Sequence, residues 1–295
     1  MRWQDLRRSD NVDDRRDEDG GGSGGSGGGG GLPIGQLGIG GVVIVGIISL
    51  LLGQNPLQVL GLIANHSAPA HRSQPAQPKA AARDDSASQF ARAILASTED
   101  VWSKAYPEAF GNAYKKPTLV LFRGQVKSAC GSASSAMGPF YCSADQQVYI
   151  DLSFYDELAK RYGAPGDFAN AYVLAHEIGH HVQNLSGISG KVHQKQQQVS
   201  KKQANALSVK LELQADCLAG VWGYYAAQNK LLEPGDVEAG LAAANAIGDD
   251  TLQRGAGQAV TPDAFTHGSS EQRMHWFKQG LTSGSVSSCN TFANK

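Results

Sequence analysis

Two histidines four residues apart, with a glutamate directly after the first, constrain this chain more than any other feature. They lie in residues 171–184, Ala-Tyr-Val-Leu-Ala-His-Glu-Ile-Gly-His-His-Val-Gln-Asn, as His176-Glu177-Ile178-Gly179-His180. At about 3.6 residues per turn, positions four apart are offset by only about 40° around a helix axis. His176 and His180 therefore share a face, one turn apart. Two imidazoles so placed converge on one tetrahedral zinc ion. Glu177 projects about 100° away, near enough to take a proton from water at such an ion without being a ligand. The surroundings read as helix. Phe168, Ala171, Tyr172, Ala175, Ile178, Gly179 and Val182 recur near helical spacing, Asp167 is the expected N-cap, and Ser186-Gly187 offers the stop. His181 points to another face and is expected to be a supporting or surface histidine.

A catalytic zinc takes a third protein ligand and keeps one position open. Downstream, residues 209–222 form a second helical pattern that carries Glu212 and Asp216, four apart on one face. Two carboxylates stacked this way repel each other, and a cation beside them relieves the repulsion. Glu212 is expected to bind the ion, and Asp216 to orient a ligand histidine through its free ring N–H. Ala215, Ala219 and Gly220 are small enough for a close helix–helix approach.

The rest of the chain sets the context. Residues 1–19 mix five arginines with seven acids, and a Gly/Ser tract runs on to Gly31. With so little apolar surface to bury, residues 1–32 are expected to be a disordered tail. Residues 33–53, from Pro33 to Gly53, are uncharged and strongly apolar. This approaches the roughly 20 residues that span a bilayer, and the glycine content suits a membrane helix. The nearest A-x-A, Ala68-Pro69-Ala70, lies too far downstream for signal-peptide cleavage. Five arginines precede the stretch and none follows until Arg72, so the tail is expected in the cytoplasm and the remainder outside it. That gives a single-pass inner-membrane protein with an extracytoplasmic catalytic domain. Residues 54–88 read as a Pro/Ala/Gln-rich linker, and 89–295 as the folded domain.

Within that domain, Phe90 to Tyr106 has helical period. Pro117–Phe122 reads as a buried strand. Gln147–Leu152 alternates, Val148, Ile150 and Leu152 against Tyr149 and Asp151, as a half-buried strand able to pair with an extended peptide. Residues 191–210, rich in Gln and Lys, read as a solvated helix or a mobile segment. Four cysteines without C-x-x-C spacing exclude a cysteine zinc site. Outside the cytoplasm they suggest two disulfides. Of the three possible pairings, Cys130 with Cys142 and Cys217 with Cys289 is preferred, because the first closes a short Gly/Ser loop. A net charge of −1 gives no general attraction to nucleic acid.

Glu212-Leu-Gln-Ala-Asp216 after His176-Glu177-x-x-His180 resembles the gluzincin metallopeptidases. The likeness narrows with Phe140-Tyr-Cys142, Val148-Tyr-Ile-Asp151, Ala246-Ile-Gly-Asp-Asp250, Phe265-Thr-His-Gly268, Gln272-Arg273 and Trp276-Phe277. Together, over about residues 89–289, these resemble the bacterial neutral zinc metallopeptidase family, whose members carry an N-terminal span. The resemblance implies an α+β, zincin-like domain, mostly helical with a small sheet, holding one zinc ion through His176, His180 and Glu212. It implies a membrane-anchored endopeptidase acting on peptide or protein substrates, with Glu177 as base and His267 stabilising the oxyanion. Arg273 is expected to pair with Asp216 or with a substrate carboxylate. Asp249 and Asp250 are expected to be architectural. Two other readings compete: a zinc-bearing binding or chaperone-like module without turnover, and a zinc amidase acting on an envelope component.

Overall fold

A four-stranded sheet lies against the helix that carries the two histidines. In the computed structural model, residues 1–17 and 85–293 are described. The strands are β1 (Val12–Asp14), β2 (Thr118–Phe122), β5 (Phe140–Cys142) and β6 (Gln147–Asp151), in the order β1-β2-β6-β5. β1, β2 and β6 run parallel, and β5 returns antiparallel to β6. A separate hairpin, β3 (Gln125–Ser128) with β4 (Gly131–Ser134), is tied to β5 by the Cys130–Cys142 disulfide.

The helices are α1 (Ser86–Phe110), α2 (Ser153–Lys160), α3 (Asp167–Leu185), α4 (Ile188–Gln196), α5 (Lys201–Gln228), α6 (Asp236–Ala246), α7 (Asp249–Gly255) and α8 (Ser270–Ser283). The domain is thus mixed α and β and mainly helical. α3, which carries the two histidines, is its central rod. It packs against α1, α5, α6 and the sheet and is buried along most of its length. Phe168 stacks on Trp222 of α5 at 5.8 Å, and Tyr172 meets Phe277 of α8 edge-on at 4.8 Å. The Cys217–Cys289 disulfide joins α5 to the short 3-10 turn at the C-terminal end. Both preferred cysteine pairings are present. By closing a long loop, the second contributes about 4 kcal/mol on a chain-entropy argument.

Small residues set the helix spacing. A methyl group placed on Gly179 would lie 2.9 Å from the carbonyl oxygen of Ala215, so α3 and α5 touch backbone to backbone there. Gly220 serves a different contact. It faces Gly280 and the backbone of α8, not α3.

Several expectations are corrected. Residues 1–17 are not a disordered tail. β1 adds to the edge of the sheet, Trp3 packs edge-on against Phe90 at 5.4 Å, and Ser9, Asn11 and Arg7 all bond the buried carboxylate of Glu99. Arg7 pairs with Glu99 and Asp100, and Arg16 with Asp85, partners that lie far away in sequence. Asp167 does not cap α3. It is the first helical residue, after Gly166, and its carboxylate accepts the indole N–H of Trp3 at 2.9 Å. β6 is not half-buried. Val148, Tyr149, Ile150 and Asp151 are all buried, because both faces of the sheet are covered. It is also flanked by β2 and β5, so it cannot pair with a peptide. β5 is the edge strand on that side. In the stretch 191–210, expected as a solvated helix or a mobile segment, residues 191–196 and 201–210 are helical, in α4 and α5. The linker ends earlier than expected, since α1 begins at Ser86.

Residues 33–53 lie outside the described residues, and among the described residues no helix is long and apolar enough to cross a membrane. The chain's two described parts nevertheless meet. Arg16 bonds Asp85 at 2.6 Å.

Candidate metal centre

The close approach of α3 and α5 brings His176, His180 and Glu212 together. Their ligand-type atoms all lie within 4.8 Å of one another. His176 Nε2 is 3.1 Å from Glu212 Oε2 and 3.1 Å from His180 Nε2, and His180 Nε2 is 3.5 Å from Glu212 Oε1. The cluster is open on one side, where the Glu212 and His180 side chains are about a fifth exposed.

Both rings are held from behind. His176 Nδ1 lies 2.8 Å from Asp216 Oδ1, and His180 Nδ1 lies 3.0 Å from Gln183 Oε1. Each acceptor is an oxygen, so each Nδ1 carries the hydrogen in the neutral ring. Each Nε2 is then left with a lone pair aimed into the cluster. Two such nitrogens and one carboxylate form a donor set that suits zinc, with room for a further ligand.

Asp216 is fully buried and makes four hydrogen bonds to three side chains. Besides His176, it accepts from Tyr172 Oη at 2.6 Å and from Arg273 Nε and Nη2 at 2.9 Å each. Arg273 thus pairs with Asp216, and it also donates to the Ile247 carbonyl. Burial would raise the Asp216 carboxyl, but Arg273 and His176 outweigh it and hold the pKa below the ordinary range. Burial disfavours charge on His176, yet Asp216 and Glu212 prevail and push it up to about 10. Burial likewise opposes charge on Glu212, and His180, His267 and His176 pull its pKa well down.

Glu177 is buried beside the cluster, and burial raises its pKa. Among the described residues no hydrogen bond fixes its carboxylate. His267 sits across from α5, on a loop whose Gly268 packs against Val209 and Leu213. Asp249 organises that loop. Its carboxylate accepts from the backbone N–H groups of Thr266, His267 and Gly268 and faces His267 Nδ1 at 3.2 Å. Asp250 accepts from Ser270 at the start of α8. Both aspartates are architectural here.

His181 is not on the surface, and its hydrogen bonds lead away from the cluster. It is fully buried, donates from Nε2 to the Lys115 carbonyl at 2.6 Å, and accepts at Nδ1 from Tyr141 Oη at 3.0 Å. From the sequence, Tyr172 is assigned only to the helical pattern of α3, and Gln183 and Gln214 are given no role at the site. A signal was present for the first. Tyr172, His176 and His180 follow one another at four-residue intervals, a polar stripe along one face of α3.

The family described as "Putative neutral zinc metallopeptidase" matches residues 1–292. The chain belongs to this family. The family match includes residues 1–17, in keeping with their place in the sheet. The chain is 49% identical over 292 residues to "Uncharacterized protein YpfJ" of Escherichia coli strain K12, covering 99% of both chains. It is 43% identical over 208 residues to an uncharacterized protein of Mycobacterium tuberculosis strain H37Rv, covering 67% of this chain and 68% of the relative. No solved structure matches the chain.

Proposed function

We propose that this chain is a zinc-dependent endopeptidase with a zincin-like catalytic domain. The observation that carries the reading is the open cluster of two imidazole nitrogens and one carboxylate, with an untethered, buried Glu177 beside it. His176, His180 and Glu212 would hold one zinc ion, which supplies a Lewis acid that acidifies water and polarises the scissile carbonyl.

The chain's own residues do the rest. Glu177 takes the proton from the attacking water and delivers it to the leaving amine. Its raised pKa brings it closer to the range in which a group both accepts and releases a proton near neutrality. His267 is suited to stabilise the oxyanion in its protonated form. Nδ1–H is held by Asp249, so only the imidazolium has Nε2–H left to donate. Burial disfavours that cation, but Glu212 and Asp249 raise its pKa. An extended peptide would lie along β5, the edge strand that packs against α3.

Two disulfides favour an oxidising, extracytoplasmic setting for the catalytic domain. The apolar stretch 33–53 supports an association with the inner membrane.

Glu177→Gln tests the assignment. The variant is expected to bind one zinc per chain and to melt like the parent, while cleavage of an unfolded test protein falls by at least about a hundredfold. Wild-type turnover by the variant would remove Glu177 from the reaction. Wild-type protein that binds zinc but cleaves neither peptides nor unfolded protein would favour a binding module, or an amidase for another substrate.

A further inference from the structure

The two histidines of the cluster are held by different means, and the support behind His180 is a chain of neutral amides. His180 Nδ1 meets Gln183 Oε1 at 3.0 Å. The Gln183 amide nitrogen donates to the Leu211 carbonyl at 2.7 Å and to Gln214 Oε1 at 3.1 Å. The Gln214 amide nitrogen in turn donates to the Cys289 carbonyl at 3.0 Å. Gln183 and Gln214 are both buried, so water does not compete for these bonds.

This chain has only one consistent direction. A backbone carbonyl can accept and cannot donate. The Cys289 and Leu211 carbonyls therefore require amide nitrogens to face them. That places the oxygen of Gln214 toward Gln183, and the oxygen of Gln183 toward His180. An oxygen at that position requires hydrogen on His180 Nδ1 and leaves Nε2 free. The tautomer of His180 is thus set by two main-chain carbonyls, one of which belongs to a cysteine bonded to α5 at Cys217.

We propose that Gln183 and Gln214 are positioning residues that fix the tautomer and aim of His180 for metal binding, with the disulfide-anchored Cys289 carbonyl as the fixed end of the chain. The inference rests on the zinc reading above, and the experiment separates the two.

Full-length wild type, Gln183→Leu, Gln183→Glu and Gln214→Leu are compared in two measurements. One is zinc affinity by chelator competition. The other is the histidine ring nitrogen NMR spectrum of the zinc-free protein at alkaline pH, which distinguishes the two neutral tautomers. In wild type, His180 is expected to carry its hydrogen on Nδ1. Gln183→Leu removes the acceptor and is expected to mix the tautomers and weaken zinc binding by about 10- to 100-fold. Gln183→Glu keeps an oxygen toward His180 but loses both donations. It should retain the Nδ1–H tautomer and bind at least about tenfold more tightly than Gln183→Leu. A purely structural glutamine predicts equal losses in the two variants. Gln214→Leu frees one of the two bonds that orient Gln183 and is expected to cost a few-fold in affinity; it carries the test if Gln183→Leu does not fold. Wild-type affinity and an unchanged tautomer in the folded variants overturn the proposal. Failure of wild type itself to bind zinc overturns the zinc reading instead.

Discussion

One turn of α3 separates two ways of holding a buried imidazole. At His176 the support is ionic: Asp216, neutralised by Arg273 and bonded by Tyr172. At His180 it is neutral: Gln183, Gln214 and a main-chain carbonyl. A charged support raises the basicity of its ring but has to be fully compensated, since an unpaired buried charge is costly. An amide support carries no such liability but has two possible orientations, and needs fixed acceptors to select one. The first arrangement depends on α8, which supplies Arg273, and the second on the C-terminal disulfide.

The contrast can be broken most sharply at its ionic end. Asp216→Ala leaves the Arg273 guanidinium buried without its carboxylate. We expect a loss of about 3–5 kcal/mol in urea unfolding of the metal-free protein. A loss under about 1 kcal/mol would mean that water or another acid reaches Arg273.

His181, adjacent to His180 in sequence, gives the next largest effect. Burial disfavours its charged form and, helped by the nearby Lys115 charge, outweighs the bond from Nε2–H to the Lys115 carbonyl, so the pKa is lowered from 6.5 to about 4. The folded state therefore prefers the neutral ring. Its contribution is fully present above about pH 6.5 and is lost as pH falls toward about 4, because the unfolded chain takes up the proton first. Over that window we expect about 3 kcal/mol of acid destabilisation, absent from His181→Gln. Identical stability–pH slopes for the two proteins would rule this out.

At the neutral end, Gln214→Leu strands the Cys289 carbonyl and one Gln183 N–H. An expected cost of about 1–3 kcal/mol, read by urea unfolding, would place the amide chain below the ionic cluster in energy but well above the surface. The surface reference is Asp156→Ala, which removes the exposed pair with Lys160 at 3.0 Å. Its effect on the urea midpoint should correspond to under about 0.5 kcal/mol. A larger effect there would mean that the scale separating buried from exposed interactions does not hold in this protein.

Much of the site was legible before any coordinates. His176, Glu177 and His180 follow from helical periodicity alone, and Glu212 and Asp216 from a second helix with the same repeat. These are local patterns, set by a geometry of 3.6 residues per turn that does not depend on what surrounds the helix. The strands at 118–122 and 147–151 were also readable locally, the first from an apolar run and the second from alternation, although their neighbours were not. Partners distant in sequence leave no periodic trace. Charges in residues 1–17 match Glu99, Asp100 and Asp85 only after the chain has folded back. The same holds for Gln183 and Gln214, which look like ordinary helix-surface amides until the carbonyls facing them are known.

The sequence by itself determined which side chains share a helical face, and hence that two imidazoles and a carboxylate were available as a set. The tertiary structure decided that they meet, because Gly179 lets the backbone of α5 come within contact of α3. It also decided which ring nitrogen of each histidine is free, because that depends on acceptors supplied by α5 and by the Cys289 backbone. Spacing along one helix fixes direction, and only packing between helices fixes distance and protonation.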